Sequence, residues 1–242
     1  MSGIISVMDA ILPVNKPVGI TSFDVIRAFK RSAHPDFKVG HGGTLDPFAG
    51  GVLLLLLGKA TKKMNELSEL PKTYRAVARL GASSDTLDKT GSITPGVWEP
   101  FTPGVLGTAV AKFVGEIEQA IPDYSATKIN GVPRYKLARA GKEMEQKSKL
   151  VTIYKLEIEK IEGEFVTFVA TVSSGTYIRQ LSYDIFKSLG VESYLDQLTR
   201  TKIGDYTLEN CCEIADFSDS KWQGLPAQTG KAITLEPLTH DE

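Results

Sequence analysis

Gly40-His41-Gly42-Gly43-Thr44-Leu45-Asp46-Pro47, running on into Val52-Leu53-Leu54-Leu55-Leu56-Leu57, is the stretch on which the fold turns. The apolar run is too short to span a bilayer and suits a strand buried on both faces. Glycines at 40, 42, 43, 50 and 51 let the loop take positive φ angles and let a ligand approach its backbone. Asp46 therefore sits in a glycine-rich loop that feeds a buried strand, where folds tend to place reactive groups. Taken alone, Asp before Pro is ordinary turn chemistry, and a surface turn is the commoner reading.

On the N-terminal side, Ile11 to Asn15 reads as a short strand closed by the turn Lys16-Pro17-Val18-Gly19. Thr21 or Ser22 then caps a helix to about Ser32, with Phe23, Ile26 and Phe29 on one face. On the C-terminal side, Ala60 to Leu67 predicts a short helix. Lys72 to Leu80 predicts a strand, with Tyr74, Ala76, Ala78 and Leu80 alternating against Thr73, Arg75, Val77 and Arg79. Residues 82–102 read mostly as loop and Val105 to Val114 as a helix. Val151–Ile161 and Phe165–Ser173 form a hairpin around Glu162-Gly163-Glu164, and a helix follows Gly175 to about Leu189. Strands and helices without a regular βαβ rhythm favour an α+β fold with a mixed, largely antiparallel sheet.

With 242 residues, 42% of them hydrophobic, the chain can bury a core in one large domain or two small ones. The first residues show neither a basic region nor a long apolar one, so no secretory leader is expected. Cys211 and Cys212 are adjacent and poorly placed to bridge each other, and with His34, His41 and His240 they make a zinc site improbable. A reducing cytoplasm is the expected compartment. Net charge is −1, but it is unevenly spread. Lys128 to Lys149 carries seven basic and two acidic side chains, whereas Asp205 to the end carries eight acidic and two basic ones. A basic segment in a neutral protein suits phosphate binding, and a solvated helical face suits it equally well.

Cofactor loops fail on inspection. Gly58-Lys59-Ala60-Thr61 ends like a Walker A, yet Ala60 stands where Ser or Thr should hold magnesium, and Leu53 replaces the earlier glycine. Gly40-His41-Gly42 opens like a dinucleotide loop, yet Leu45 takes the third glycine position. Side chains alone are then left to do any chemistry, with Asp46, Tyr74, Tyr177 and Arg179 at the ends of predicted elements. An aspartate is a competent nucleophile towards a sugar carbon, and an arginine beside it would hold it ionised. As isolated residues, Tyr74 more often fills a sheet and Arg179 more often faces solvent.

Lys38 to Pro47, with Gly51-Val52-Leu53 and Gly58-Lys59-Ala60-Thr61-Lys62, closely resembles the signature of the TruB family of tRNA pseudouridine-55 synthases. Further matches follow the family's order. They are Val14-Asn15-Lys16-Pro17-Val18-Gly19-Ile20-Thr21-Ser22, Lys72-Thr73-Tyr74-Arg75 and Ser84-Asp85-Thr86-Leu87-Asp88. Tyr124-Ser125-Ala126-Thr127-Lys128 with Gly131, Tyr135 and Ala138-Arg139 matches the insertion that grips RNA. Gly175-Thr176-Tyr177-Ile178-Arg179, Tyr194-Leu195 and Leu198-Thr199-Arg200-Thr201 complete a resemblance covering about residues 11–206.

The resemblance implies a pseudouridine-synthase fold over residues 1–209, its central sheet flanked by helices, with an RNA-binding thumb inserted at about 122–150. It implies that Asp46 is catalytic, Arg179 pairs with it, and Tyr74 stacks on the target uracil and takes the proton from carbon 5. His41 would displace the base, and Tyr177 and Leu195 would line its pocket. Lys16, Lys62, Lys128 and Arg139, within the matching motifs, are expected to contact substrate. The expected reaction turns uridine into pseudouridine at position 55 of the tRNA T loop, with no cofactor, no metal and no membrane, in a cytoplasmic monomer. The alternatives are a non-catalytic module that remodels tRNA through the same cleft, and a guide-directed enzyme acting on ribosomal RNA. Gly50, Ser84 and the basic residue at Arg134 depart from the usual pattern. Residues 210–242 read as a short acidic tail rather than a complete RNA-binding domain of the PUA type.

Overall fold

The computed structural model describes residues 9–218. The strands are β1 (Ala10–Lys16), β2 (Val39–Gly42), β3 (Gly50–Leu57), β4 (Lys72–Leu80), β5 (Ala82–Ser84), β6 (Ile93–Pro95) and β7 (Gly115–Ala120). They continue with β8 (Lys128–Ile129), β9 (Val132–Pro133), β10 (Ser148–Glu162), β11 (Phe165–Val172), β12 (Ser193–Ile203) and β13 (Tyr206–Thr207). The helices are α1 (Ser22–Ala33), α2 (Met64–Glu69), α3 (Pro103–Ala111), α4 (Arg134–Arg139) and α5 (Ile178–Lys187). The central sheet runs β1-β3-β12-β4-β11-β10-β7, with β2 also on β3 and β13 on β12. Every pairing in it is antiparallel except β12 on β3, which matches Thr199 with Gly50 and Arg200 with Gly51. The expected mixed, largely antiparallel α+β architecture is the observed one.

The uninterrupted apolar run has a direct cause. All eight residues of β3 are buried. Leu53, Leu55 and Leu57 pack with Val25, Ile26 and Phe29 of α1, while Val52, Leu54 and Leu56 pack with Leu67, Ile203 and Tyr206. Each such side chain contributes about 1.5–3 kcal/mol on burial, so no polar residue is tolerated on either face. A third cluster joins Ala76, Ala78 and Phe168 of the sheet to Leu106 of α3 and to Leu181, Ile185 and Phe186 of α5. Gly51 cannot be replaced cheaply, because its φ is +102° and a Cβ there would lie 2.2 Å from the Arg200 carbonyl oxygen. That close approach is what lets β12 run beside β3.

Helix α1 starts where expected, with Thr21 and Asp24 forming a capping box. Its buried face is Ser22, Val25, Ile26 and Phe29; Phe23 is 54% exposed and carries the Arg27 guanidinium 4.7 Å from its ring centre. β2, β5 to β9, β12 and β13 were not foreseen. β7 is a short, polar edge, and β12 loses its alternation at register shifts between Leu195 and Gln197 and between Arg200 and Lys202. The segment expected to begin a tail at residue 210 is docked as far as Ser218. Cys212 bridges to Val14, and Phe217 meets Phe29 edge-on with ring centres 5.2 Å apart. The remainder of that expected tail, residues 219–242, lies outside the described residues. Among the described residues, no helix is long and apolar enough to cross a membrane.

Candidate active site

A cleft of about 280 Å³ opens where the β2–β3 loop, β4, β12 and the start of α5 converge. Its lining includes Asp46, Tyr74, Tyr177, Arg179, Leu198 and Arg200. Distant parts of the chain fix the loop that carries Asp46. Arg200, 1% exposed, donates from Nε to the Val52 carbonyl at 2.8 Å, from Nη1 to Thr44 at 3.3 Å and from Nη2 to Gly43 at 3.1 Å. Ser22 Oγ accepts from Leu45 N at 2.9 Å, and Gly19 N donates to the Pro47 carbonyl at 2.7 Å. The loop is thus tied down while the Asp46 side chain stays 41% exposed to the cleft.

Arg179 lies in the first turn of α5 and is 4% exposed. Its Nε donates to Asp46 Oδ2 at 2.9 Å, Nη1 to the Thr86 carbonyl at 2.6 Å and Nη2 to the Tyr124 carbonyl at 2.9 Å. A second carboxylate, Asp88, is 4% exposed, with Oδ2 3.6 Å from the same Nε. Asp88 Oδ1 accepts from Thr86 Oγ1 and Thr90 N, each at 2.9 Å, and from Thr90 Oγ1 at 2.5 Å. One guanidinium thereby faces two carboxylates and holds the backbone of two loops. Charge-assisted bonds of this kind are the strong ones.

Tyr74, on β4, is 8% exposed and borders the cleft, with the Arg200 guanidinium 6.0 Å from its ring centre. Arg200 and Tyr74 are direct cross-strand partners, which explains the approach. Tyr177 has its hydroxyl 2.8 Å from Thr127 Oγ1 and Lys149 Nζ 4.2 Å from its ring centre. Asp46, Tyr74, Arg179 and Tyr177 therefore share one cavity.

The other expected contacts are dispersed. Leu195 is fully buried in the core outside the cleft lining, where Leu198 stands instead. Lys16 is fully buried too, its Nζ donating to the Pro17 carbonyl at 2.9 Å and the Ile20 carbonyl at 2.7 Å. His41 lies on β2 outside the lining, with no partner for Nδ1 among the described residues. Burial, and then the Arg200 charge, push its pKa down. Lys62 is exposed in the turn after β3, Lys128 is exposed on β8, and Arg139 is exposed with its guanidinium 5.7 Å from the Tyr135 ring.

Arg200, Asp88 and Lys72 were given no individual role from the sequence. Lys72 lines the cleft and donates to the Ser68 and Leu70 carbonyls, each at 2.6 Å. Burial, then Arg200, lowers its pKa to about 8; burial lowers Lys16 to the same range. The signal was faint but present: all three lie inside matched motifs, at or beside strand positions that a surface residue would not need to share. The segment from Asp123 to Glu145 closes on itself through Arg134, fully buried, which bonds Asp123 Oδ1 at 2.5 Å and the Glu145 carbonyl at 3.0 Å. Ser125 and Ala126 of this segment border the cleft.

Comparison with known proteins agrees with the geometry. A family model described as TruB family pseudouridylate synthase (N terminal domain) matches residues 29–178. A protein of Geotalea uraniireducens named tRNA pseudouridine synthase B is 42% identical over 92% of this chain and 72% of its own length. One of the same name from Clostridium acetobutylicum is 42% identical over 88% of this chain and 73% of its own. Among solved structures, a Cbf5-Nop10-Gar1 complex aligns with a TM-score of 0.70 and 29% identity over 88% of this chain. An H/ACA RNP bound to a substrate RNA containing 2'-deoxyuridine aligns at 0.66 and 27%. The chain spans only 54% and 53% of those two structures' chains. Fold and site together define a pseudouridylate synthase. Within that class the chain belongs to the TruB family.

Proposed function

We propose that this chain isomerises uridine to pseudouridine at position 55 in the T loop of tRNA, with Asp46 as the group that acts on the sugar. The Asp46–Arg179 contact at the edge of a nucleobase-sized cleft, with Tyr74 in the same wall, is the observation that carries this reading. A uridine stacked in an RNA loop is unreachable until it is flipped out, at a cost of a few kcal/mol. Stacking on Tyr74 returns about 1–3 kcal/mol. Asp46 then attacks carbon 1′ or removes the 2′ proton, and the bond from carbon 1′ to N1 breaks. The freed uracil turns inside the closed cleft and rejoins through carbon 5. Tyr74 takes the carbon 5 proton and N1 gains one, so atoms and charge balance without an outside reactant.

Arg179 keeps the carboxylate aimed at the sugar, and enclosure by Ser125 and Ala126 keeps the loose base from leaving. Tyr177 and Leu198 shape the pocket. Lys128 and Arg139, exposed on the inserted thumb, suit the phosphate backbone, and His41 suits a role in displacing the base. A guide-directed activity on ribosomal RNA is less well supported, because the 42% identical relatives carry the tRNA name and the H/ACA RNP is 27% identical. The test is pseudouridine mapping on a T-loop minihelix and on unrelated RNAs, with wild-type protein and Asp46→Asn. Wild type should modify the minihelix alone, and Asp46→Asn should bind it without product. Turnover by Asp46→Asn near the wild-type rate would remove the assignment.

A further inference from the structure

Tyr177 stands at the N-cap of α5 but gives the helix no side-chain cap. A helix start leaves N–H groups without intrahelical partners, and Ser, Thr, Asp or Asn at the N-cap ordinarily meets one of them. Here a distant strand anchors the same point. Gln119 of β7 is fully buried, and its Oε1 accepts from Tyr177 N at 2.8 Å while its Nε2 donates to the Tyr177 carbonyl at 3.1 Å. That carbonyl also accepts from Leu181 N at 3.0 Å, so it carries the first hydrogen bond of the helix. One side-chain amide thus holds both polar backbone groups of the residue that launches α5.

The register strengthens the case. Gln119 is the direct partner of Lys149 on β10, so the two side chains leave the same face of the strand pair. Lys149 places its ammonium over the Tyr177 ring and bonds the Gly175 carbonyl. Thr127 bonds the Tyr177 hydroxyl. Gln119 grips the main chain, Lys149 the ring and Thr127 the phenol. A fully buried primary amide costs free energy unless its groups are paired, so simple space-filling would favour an apolar side chain at this position.

We propose that Gln119 is a positioning residue: its amide sets the first turn of α5, and through it the Tyr177 ring and the Arg179 guanidinium against Asp46. The inference rests on the tRNA-uridine reading above. A shift of about 1 Å in a reacting group costs up to about 100-fold in rate, so the effect belongs in the chemical step and not in RNA affinity. Full-chain Gln119→Met and Gln119→Glu separate positioning from packing. Met fills the space and makes neither bond. Glu keeps the acceptor for Tyr177 N but has no donor for the Tyr177 carbonyl and turns an oxygen on it instead.

Single-turnover pseudouridine formation on a T-loop minihelix is measured beside the RNA Kd, with circular dichroism melts showing that each variant is folded at the assay temperature. Gln119→Met should lose roughly 10–100-fold in rate at unchanged Kd, and Gln119→Glu, which breaks the bond to the Tyr177 carbonyl, should lose rate as well. A folded Met or Glu variant as fast as wild type would overturn the proposal. The Glu variant keeps the test decisive if the Met variant does not fold. Wild-type protein that makes no pseudouridine in the same reaction would sink the functional reading itself, a result distinct from equal rates for wild type and Gln119→Met.

Discussion

Replacing Arg179 by Lys keeps the positive charge and removes the fork. The guanidinium makes three hydrogen bonds, to Asp46, Thr86 and Tyr124, from a side chain that is 4% exposed. A lysine ammonium on an unbranched stem can retain one carboxylate and cannot reach both carbonyls from the same point. Two bonds from a charged donor are then lost, each worth about 1.5–3 kcal/mol. Relaxation of the ammonium towards Asp88, 3.6 Å from Nε, returns part of this. The net loss works out at about 2–4 kcal/mol, since full rupture of a buried pair costs about 3–5 kcal/mol. At about 2–4 °C per kcal/mol for a chain of this size, the melting temperature should fall by about 5–15 °C. The rate should fall by about 100-fold or more, because an ammonium without the two carbonyl anchors does not hold Asp46 in the geometry the fork sets. The assay is single-turnover pseudouridine formation well below the lowered melting temperature, with RNA affinity measured in parallel and expected to hold. A variant within about threefold of the wild-type rate would show that Asp46 does not depend on the guanidinium fork, and the argument from these three bonds would fail.

Phe217→Ala should destabilise the catalytic core by about 3–5 kcal/mol, since Phe217 is 1% exposed and packs edge-on against Phe29. A urea melt superimposing on wild type would refute the docking of residues 211–217. Buried Lys72 gives a pH signature. Its folded pKa of about 8 lies below the ordinary 10.5, so the unfolded chain holds the proton to higher pH. Stability from this group therefore rises between about pH 8 and 10.5, by at most about 3 kcal/mol. The advantage of wild type over Lys72→Met should grow from pH 7.5 to 9.5 in paired urea melts; a constant difference would refute the depressed pKa.

The motif around Asp46 and the alternation in β4 were legible because local patterns suffice to place them. Tyr74 and Arg179 became legible through the family resemblance and not through their own surroundings in the chain. Lys72 and Arg200 stayed hidden for a physical reason: a cation in a strand ordinarily points to water, and their burial depends on carbonyls from distant segments. Arg200 reaches back to Gly43 and Thr44, a relation that no window along the chain contains. β12, the strand that carries Arg200, was obscured by its two register shifts, which reset the period of two. Leu195 was assigned to the pocket by the resemblance alone, and the cleft is lined by Leu198, three residues further along the same strand. Phe23 was placed on the wrong face of α1 because hydrophobicity alone does not distinguish a core contact from a ring covered by Arg27.

The bond from Arg179 to the Tyr124 carbonyl ties the partner of Asp46 to the segment whose Ser125 and Ala126 border the cavity. Moving that segment away would remove one anchor of the arginine, which on the proposed reaction couples reactivity to enclosure. On the proposed reaction, an uncovered cavity would thereby be a less potent one, which would protect a severed nucleoside from meeting bulk water at the moment it is most fragile.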